Sequence, residues 1–147
     1  MIDPDIRSAH PDDLAQIMLL EEEARAALVD QRGGQRWLAE NPEVGESWTD
    51  LLGSDHVVVG HIGPVVVSVM AAAVGSDDVL RVGFVWVTPD ARELGFGDAM
   101  LAAVIEWGRG EGAIGIEGQA LPGDRQTKNL WERAGIVARL IVTYRPL

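Results

Sequence analysis

Apolar residues recur along the chain with two different periods, which divide it into helical and extended runs. Ile6-Arg7-Ser8-Ala9 reads as a short first strand. His10-Pro11-Asp12-Asp13 then brings a Pro and two acids, which suit a helix start. Leu14, Ile17, Met18 and Leu28 fall near one stripe, so Asp12–Leu28 is predicted as an amphipathic helix. Within it, Glu21-Glu22-Glu23 cannot share one face, and most of that triplet is expected in solvent. Gln31-Arg32-Gly33-Gly34 breaks the period, and Gln35–Glu40 is a second short helix stopped by Asn41-Pro42. Glu43–Gly53 is less regular; Trp48, Leu51 and Leu52 are expected to pack beneath the first helices.

Extended runs follow. His56–Ile62 and Val65–Val74 flank Gly63-Pro64, a hairpin signal. After the turn Ser76-Asp77-Asp78, Val79–Val87 alternates, with Leu80, Val82, Phe84 and Trp86 expected on one side. Gly95–Gly108 reads as a helix with Met100, Leu101, Val104, Ile105 and Gly108 on one stripe. Ala113–Gln119 is a short strand, Asp124–Ala134 a helix closed by Gly135, and Val137–Arg145 a final alternating strand. The order β-α-α-β-β-β-α-β-α-β predicts an α/β (α+β) fold, a single domain over residues 1–147. Its sheet is mixed and mostly antiparallel, flanked by helices, with one or two right-handed crossovers.

Composition narrows the function. The chain has 147 residues, a net charge of −11 and a pI near 4.5. Such acidity argues against nucleic acid as a partner. Residues 1–91 hold 5 Arg/Lys against 16 Asp/Glu, a balance of −11, whereas residues 92–147 hold 7 of each. No apolar run approaches the roughly 20 residues of a membrane span. Met1-Ile2-Asp3-Pro4-Asp5 lacks the basic and apolar regions of a signal peptide, so a cytoplasmic protein is expected. With no cysteine there is no disulfide framework and no thiol nucleophile. The three His have no fixed spacing, so no metal is expected, and no Gly-x-Ser-x-Gly nucleophile motif exists.

The chemistry concentrates in the stretch from Val85 to Ala99. A β-prone run ends at Pro89, which cannot donate a ladder hydrogen bond. A polar link and a glycine-punctuated turn then open into the helical run from Met100 to Trp107. Glycines let a ligand approach the backbone, and a helix N-terminus offers unpaired N–H groups and partial positive charge. The Walker pattern would need a Gly-Lys-Ser/Thr ending, which is missing. The dinucleotide pattern would need Gly or Ala where Met100 stands. Gly110-Glu111-Gly112-Ala113-Ile114-Gly115 follows a helix and precedes a strand, the reverse of the context that pattern needs.

What fits is Arg92-x-x-Gly95-x-Gly97 after a Val-Thr-Pro strand end. It resembles the acetyl-CoA signature of the GNAT acetyltransferase superfamily, Gln/Arg-x-x-Gly-x-Gly/Ala. The order of elements is also similar to the GNAT fold over nearly the whole chain. The resemblance implies acetyl-CoA as acyl donor, its pyrophosphate held by the turn Arg92, Glu93, Leu94, Gly95, Phe96, Gly97 and Asp98. It implies that Val85, Trp86 and Val87 lie beside the pantetheine arm, pairing through main chain like an added strand. Asp124 to Ile136 resembles the family's last helix, with two departures. Trp131 stands where a Tyr commonly protonates the leaving thiolate, and Asp124 where an Asn is usual. An indole cannot act as that acid. Water or Tyr144, the only tyrosine, is left for the role, or catalysis is weak or lost. Lys128, the only lysine, either meets a CoA phosphate or is a plain surface residue.

The implied reaction is direct attack of an amine on acetyl-CoA in a ternary complex, catalysed by positioning and by backbone N–H polarisation of the thioester. The base is open among Asp55, His56, His61, Asp78 and a water chain. The acceptor is a small-molecule or protein amine, cationic if the acidic first part of the chain walls its site. Homodimer formation is left open. A CoA-binding regulatory module with weak or lost catalysis, and a structural βα domain with no CoA site, are the alternatives.

Overall fold

Three runs dense in β-branched residues become the longest strands: β2 (His56–Ile62), β3 (Val65–Val74) and β4 (Val79–Val87). In the computed structural model, which describes residues 3–147, they form an antiparallel meander. Met1 and Ile2, the start of the acidic amino-terminal stretch, lie outside the described residues. β1 (Asp5–Ser8) pairs antiparallel with β2, and β5 (Gly115–Glu117) pairs parallel with β4. The sheet order is therefore β1-β2-β3-β4-β5. Parallel neighbours require a crossover, and α4 (Phe96–Gly110) supplies it.

Helices cover both faces and create two cores. On one face, α4 and α5 (Arg125–Arg133) pack Met100, Leu101, Val104, Leu130 and Trp131 against Val58, Met70, Leu80 and Val82. On the other, α1 (Leu14–Leu28) and α3 (Trp48–Ser54) pack Ile17, Leu20 and Trp48 against Val57, Val59, Val69 and Ala71. Between them in sequence, α2 (Gly34–Glu40) starts after Gly33, which adopts a left-handed φ of 79°.

The expected single side for Leu80, Val82, Phe84 and Trp86 is corrected by the register. Ala71 faces Phe84 while the next residue, Ala72, faces Val82, so Gly83 is an extra residue in β4. A bulge of one residue exchanges the two faces of a strand beyond it. Leu80 and Val82 accordingly join the α4 core, whereas Phe84 and Trp86 pack with α1 and α3, and Val85 and Val87 take over the α4 side.

Glu21 also departs from the solvated triplet. It is 4% exposed, and its carboxylate accepts the Val44 N–H at 2.8 Å, the Gly45 N–H at 2.9 Å and the Trp48 Nε1–H at 3.2 Å. It thereby fastens the irregular 41–47 loop to α1. Glu22 and Glu23 are exposed, as expected of most of the triplet.

The carboxy-terminal strand expected at Val137–Arg145 is not formed. Among the described residues, no backbone hydrogen bond involves 137–147, and every residue there is exposed. A strand needs an edge along which to pair. An ion pair joins the tail to β5, Arg139 to Glu117 at 3.4 Å, and the tail reaches α2, where the Arg36 guanidinium lies 3.5 Å above the Tyr144 ring. β5 itself is shorter than the expected Ala113–Gln119.

Two stability predictions follow from buried carboxylates. Removing Glu21 leaves three donors without an acceptor, each costing about 1–3 kcal/mol when buried. Glu21→Ala should therefore lower unfolding free energy by about 3 kcal/mol or more in urea titrations, with Glu21→Gln recovering part of it. The Asp13 carboxylate accepts Arg7 Nη1 and Nη2 at 2.6 and 2.9 Å and the His10 N–H at 2.7 Å. The Arg7 hydrogen bonds hold its pKa below the ordinary value of 3.8 despite burial. A lowered folded-state pKa gives stability that is present above the unfolded value and lost as pH falls through the folded one. The melting-temperature gap between wild type and Asp13→Asn should be full at pH 7 and close below about pH 4.

Candidate functional site

β4 and β5 pair only at Val79–Arg81 with Gly115–Glu117. Beyond Arg81 that edge of β4 is open, and the open part holds Val85, Trp86 and Val87. Thr88 N–H donates to the Val67 carbonyl at 2.9 Å. Bonded and non-bonded pairs alternate along an antiparallel ladder. With Val87 opposite Ser68 and Val85 opposite Met70, the peptide groups of both valines point away from β3, toward the open edge. The Val87 carbonyl accepts Arg92 Nε at 3.2 Å.

After β4, a 3-10 turn at Pro89–Ala91 carries the chain into the glycine turn. Ala91 and Phe96 are buried with Val67, so the Phe96 side chain anchors the turn while its N–H stays in the helix's first turn. Glu93 (φ 68°) and Gly95 (φ 88°) are left-handed, and Gly95 is the N-cap of α4. No side chain caps α4, and its first intrahelical bond is Ala99 N–H to the Gly95 carbonyl at 3.0 Å. The N–H groups of Phe96, Gly97 and Asp98 thus have no acceptor within the helix. A positive helix end with free donors suits a pyrophosphate. The Asp98 carboxylate in this first turn is paired with Arg133 at 3.0 Å. A Cβ on Gly97 would make an ordinary contact with Leu130 at 3.5 Å, so this glycine faces α5. The backbone conformation demands glycine at Gly95 instead.

A cavity of about 350 Å³ lies beside the open edge, walled by Glu23 and Gln31 of the α1 region, Trp86, Arg92 and residues 123–126. Trp86 organises it. Its Nε1–H donates to Glu23 Oε1 at 2.8 Å, and the Arg92 guanidinium stacks 4.7 Å from its ring centroid. Glu23 had no functional signal in the sequence, because the bulge at Gly83 decides that Trp86 faces α1. Asp124, on the same wall, caps α5 by accepting Thr127 N–H at 3.1 Å and Thr127 Oγ1–H at 2.7 Å.

Trp131 is 6% exposed in the α4 core, and its Nε1–H donates to the Gln119 carbonyl at 3.2 Å. It braces the β5–α5 loop. Lys128 turns back on that loop, with Nζ 2.9 Å from the Pro122 carbonyl. Tyr144 is exposed on the tail, stacked under Arg36, and does not line the cavity. Nor do Asp55, His56, His61 or Asp78. His56 stacks on Trp107 at 4.5 Å between ring centroids, and burial pushes its pKa below the ordinary 6.5. Asp55 accepts Ser54 Oγ–H at 2.9 Å, Asp78 sits in the turn before β4, and His61 Nδ1 lies 3.0 Å from the Gly63 carbonyl oxygen.

The family described as the acetyltransferase (GNAT) family matches residues 12–136. No curated protein sequence matches the chain. Solved structures share its fold over almost their full lengths. The aminoglycoside N-acetyltransferase AAC(6')-Iy, in complex with the bisubstrate analog CoA-S-monomethyl-acetylneamine, has 21% identity, 98% coverage of both chains and a TM-score of 0.69. A putative acetyltransferase from Agrobacterium tumefaciens has 14% identity, covering 97% of this chain and 99% of that one, with a TM-score of 0.72. An aminoglycoside acetyltransferase from an uncultured soil metagenomic sample, in complex with trehalose, has 15% identity. It covers 99% of this chain and 97% of that one, with a TM-score of 0.70.

Gly95 gives the direct test of the glycine turn. Gly95→Ala should cost about 1–2 kcal/mol of stability through its left-handed φ. Gly95→Glu adds negative charge at the helix end and should weaken acetyl-CoA binding at least tenfold by calorimetry, about 1.4 kcal/mol. Undiminished affinity in a folded Gly95→Glu protein would remove the turn from the site.

Proposed function

The chain belongs to the acetyltransferase (GNAT) family, and from that membership we propose that it transfers an acetyl group from acetyl-CoA to a cationic small-molecule amine. The donor is that of the family. The observation that carries the acceptor class is Glu23, an exposed carboxylate fixed by Trp86 at the wall of the cavity beside the open β4 edge. Asp124 adds a second carboxylate to that wall. The excess of acid over base in residues 1–91 adds a long-range field of the same sign. The aminoglycoside acetyltransferases that share the fold fit the same acceptor class.

In this reading each part of the site has one task. The turn from Arg92 to Asp98 holds the donor's pyrophosphate through backbone N–H groups at the α4 terminus. The outward peptide groups of Val85 and Val87 align the donor's arm and polarise the thioester carbonyl. Glu23 holds the acceptor as an ammonium. A carboxylate favours that charged form, so one proton leaves for Glu23 or water before nitrogen attacks the carbonyl carbon. The C–N bond forms and the C–S bond breaks; the nitrogen gives its second proton to water, and water returns one to the thiolate. Trp131 has no part in this step, because its only N–H serves the Gln119 carbonyl.

That last feature also favours a second reading, a CoA-binding module with weak or lost catalysis. No tyrosine lines the cavity, and Trp131 is committed to packing.

Thermal shift with acetyl-CoA and thiol release across an amine panel separate the two. For a polycationic acceptor, Glu23→Gln should lower kcat/KM about 10- to 100-fold, since a hydrogen bond to a charged group is worth about 1.5–3 kcal/mol. A neutral amine and the Kd for acetyl-CoA should change little. Only the cationic substrate should lose efficiency as salt rises and the Debye length shortens from about 30 Å at 0.01 M to about 10 Å at 0.1 M. Binding of acetyl-CoA without thiol release from any amine would establish the second reading.

A further inference from the structure

A buried polar atom nearly always has a hydrogen-bond partner, and one that lacks it costs stability. Among the described residues two side-chain atoms break this rule, Ser68 Oγ and Gln31 Oε1. Ser68 is fully buried within β3. Gln31 instead lines the cavity beside the open β4 edge, together with Glu23. Its main chain is tied at both ends. The N–H donates to the Leu28 carbonyl at 3.1 Å, and the carbonyl accepts the Gly34 N–H at 2.9 Å. Only the side-chain oxygen is idle, in the wall of a site that binds a ligand.

We propose that Gln31 is a specificity-determining residue: its Oε1 accepts a hydrogen bond from a hydroxyl at the end of the acceptor remote from the reacting amine. This role rests on the proposed acetyl transfer to a cationic amine, and it makes that acceptor a hydroxylated one. Glu23, Ala27 and Gln31 are spaced four residues apart and all line the cavity. They therefore follow one another along one side of α1 and the turn that continues it. Ala27, about 6 Å beyond Glu23 along the helix axis, leaves room for a ligand between the carboxylate and the amide. The last torsion of a glutamine is broad, so a modest turn of the amide presents Oε1 to that ligand.

The surroundings of the amide choose a hydroxyl over a second ammonium. Gln31 also lines a neighbouring cavity of about 550 Å³ in the α1–α2 connection, so the far end of an acceptor has space beyond the amide. In that space Arg36 is paired with Glu40 at 2.6 Å, and Arg32 offsets Asp30. The far end is thus charge-balanced. A second ammonium would give up water there without a net negative charge to meet it, whereas a neutral hydroxyl needs only the amide oxygen. Sites that hydrogen-bond a substrate hydroxyl discriminate strongly against analogues that lack it, because their own buried group is then left unpaired.

The test is calorimetric binding of amines to the CoA-loaded protein, which needs no turnover, using a length series of ω-amino alcohols and the matched n-alkylamines. At the best length the alcohol should bind about tenfold tighter than its alkylamine, the gain from pairing an idle buried acceptor. Gln31→Leu removes the oxygen and should bring that ratio to about one, with the Kd for acetyl-CoA as in wild type. Gln31→Glu keeps an acceptor oxygen and should keep the preference. Because the idle oxygen costs stability, Gln31→Leu should also melt no lower than wild type, whereas loss of an amide that braced the fold would lower the melting temperature. Equal binding of the two series at every length would overturn the proposal. So would a preference that survives Gln31→Leu or is lost in Gln31→Glu, or a Gln31→Leu protein that melts below wild type. Failure of both series to bind would instead overturn the cationic-acceptor reading itself, and the role of Gln31 with it.

Discussion

Much of this molecule depends on a single extra residue in β4. Up to Val82 the strand shows Leu80 and Val82 to α4, and its outer edge is occupied by β5. After Gly83 the faces exchange, and the outer edge is bare. The exchange sends Trp86 toward α1, where Glu23 meets it, and gives Val85 and Val87 to the α4 side. Without the bulge, Trp86 would enter the α4 core and Glu23 would be one more solvated carboxylate. Bulges beside functional sites are a recurrent way to re-aim a side chain.

The acidic triplet on α1 divides its labour by helical geometry. Residues one position apart point about 100° from one another, so Glu21 turns inward while Glu22 and Glu23 turn out. Glu21 is tolerated in the core because three donors converge on it. In return it fixes the 41–47 loop and the ring of Trp48, which is fully buried and meets Phe84 edge-on at 5.5 Å. Phe84 and Trp86 then share the face that leads to the cavity. Structure and site are linked here through one buried carboxylate.

Much of this was legible in the sequence, for identifiable reasons. The bounds of β2, β3 and β4 follow from β-branched runs broken by Gly63-Pro64 and by Ser76-Asp77-Asp78, where local preference and packing agree. The turn from Pro89 to Gly97 was legible because Pro and Gly act through the backbone alone. The bulge was not, since Gly83 needs no unusual φ and its Cβ would meet open space. Glu21 could not be told from Glu23 without knowing which way α1 faces. The tail misled for the opposite reason: its alternation is real, but a strand exists only where another edge receives it.

The glycine turn has a consequence for the thermodynamics of its occupation. Two left-handed residues, Glu93 and Gly95, the buried anchors Ala91 and Phe96, and the Arg92–Val87 hydrogen bond set its shape without any ligand. A loop whose shape is already fixed has little conformational freedom left to surrender when a ligand binds. Anion capture there should draw its heat from charge and hydrogen bonding. Coupled folding would add a heat-capacity change from newly buried surface, and this turn has little left to bury.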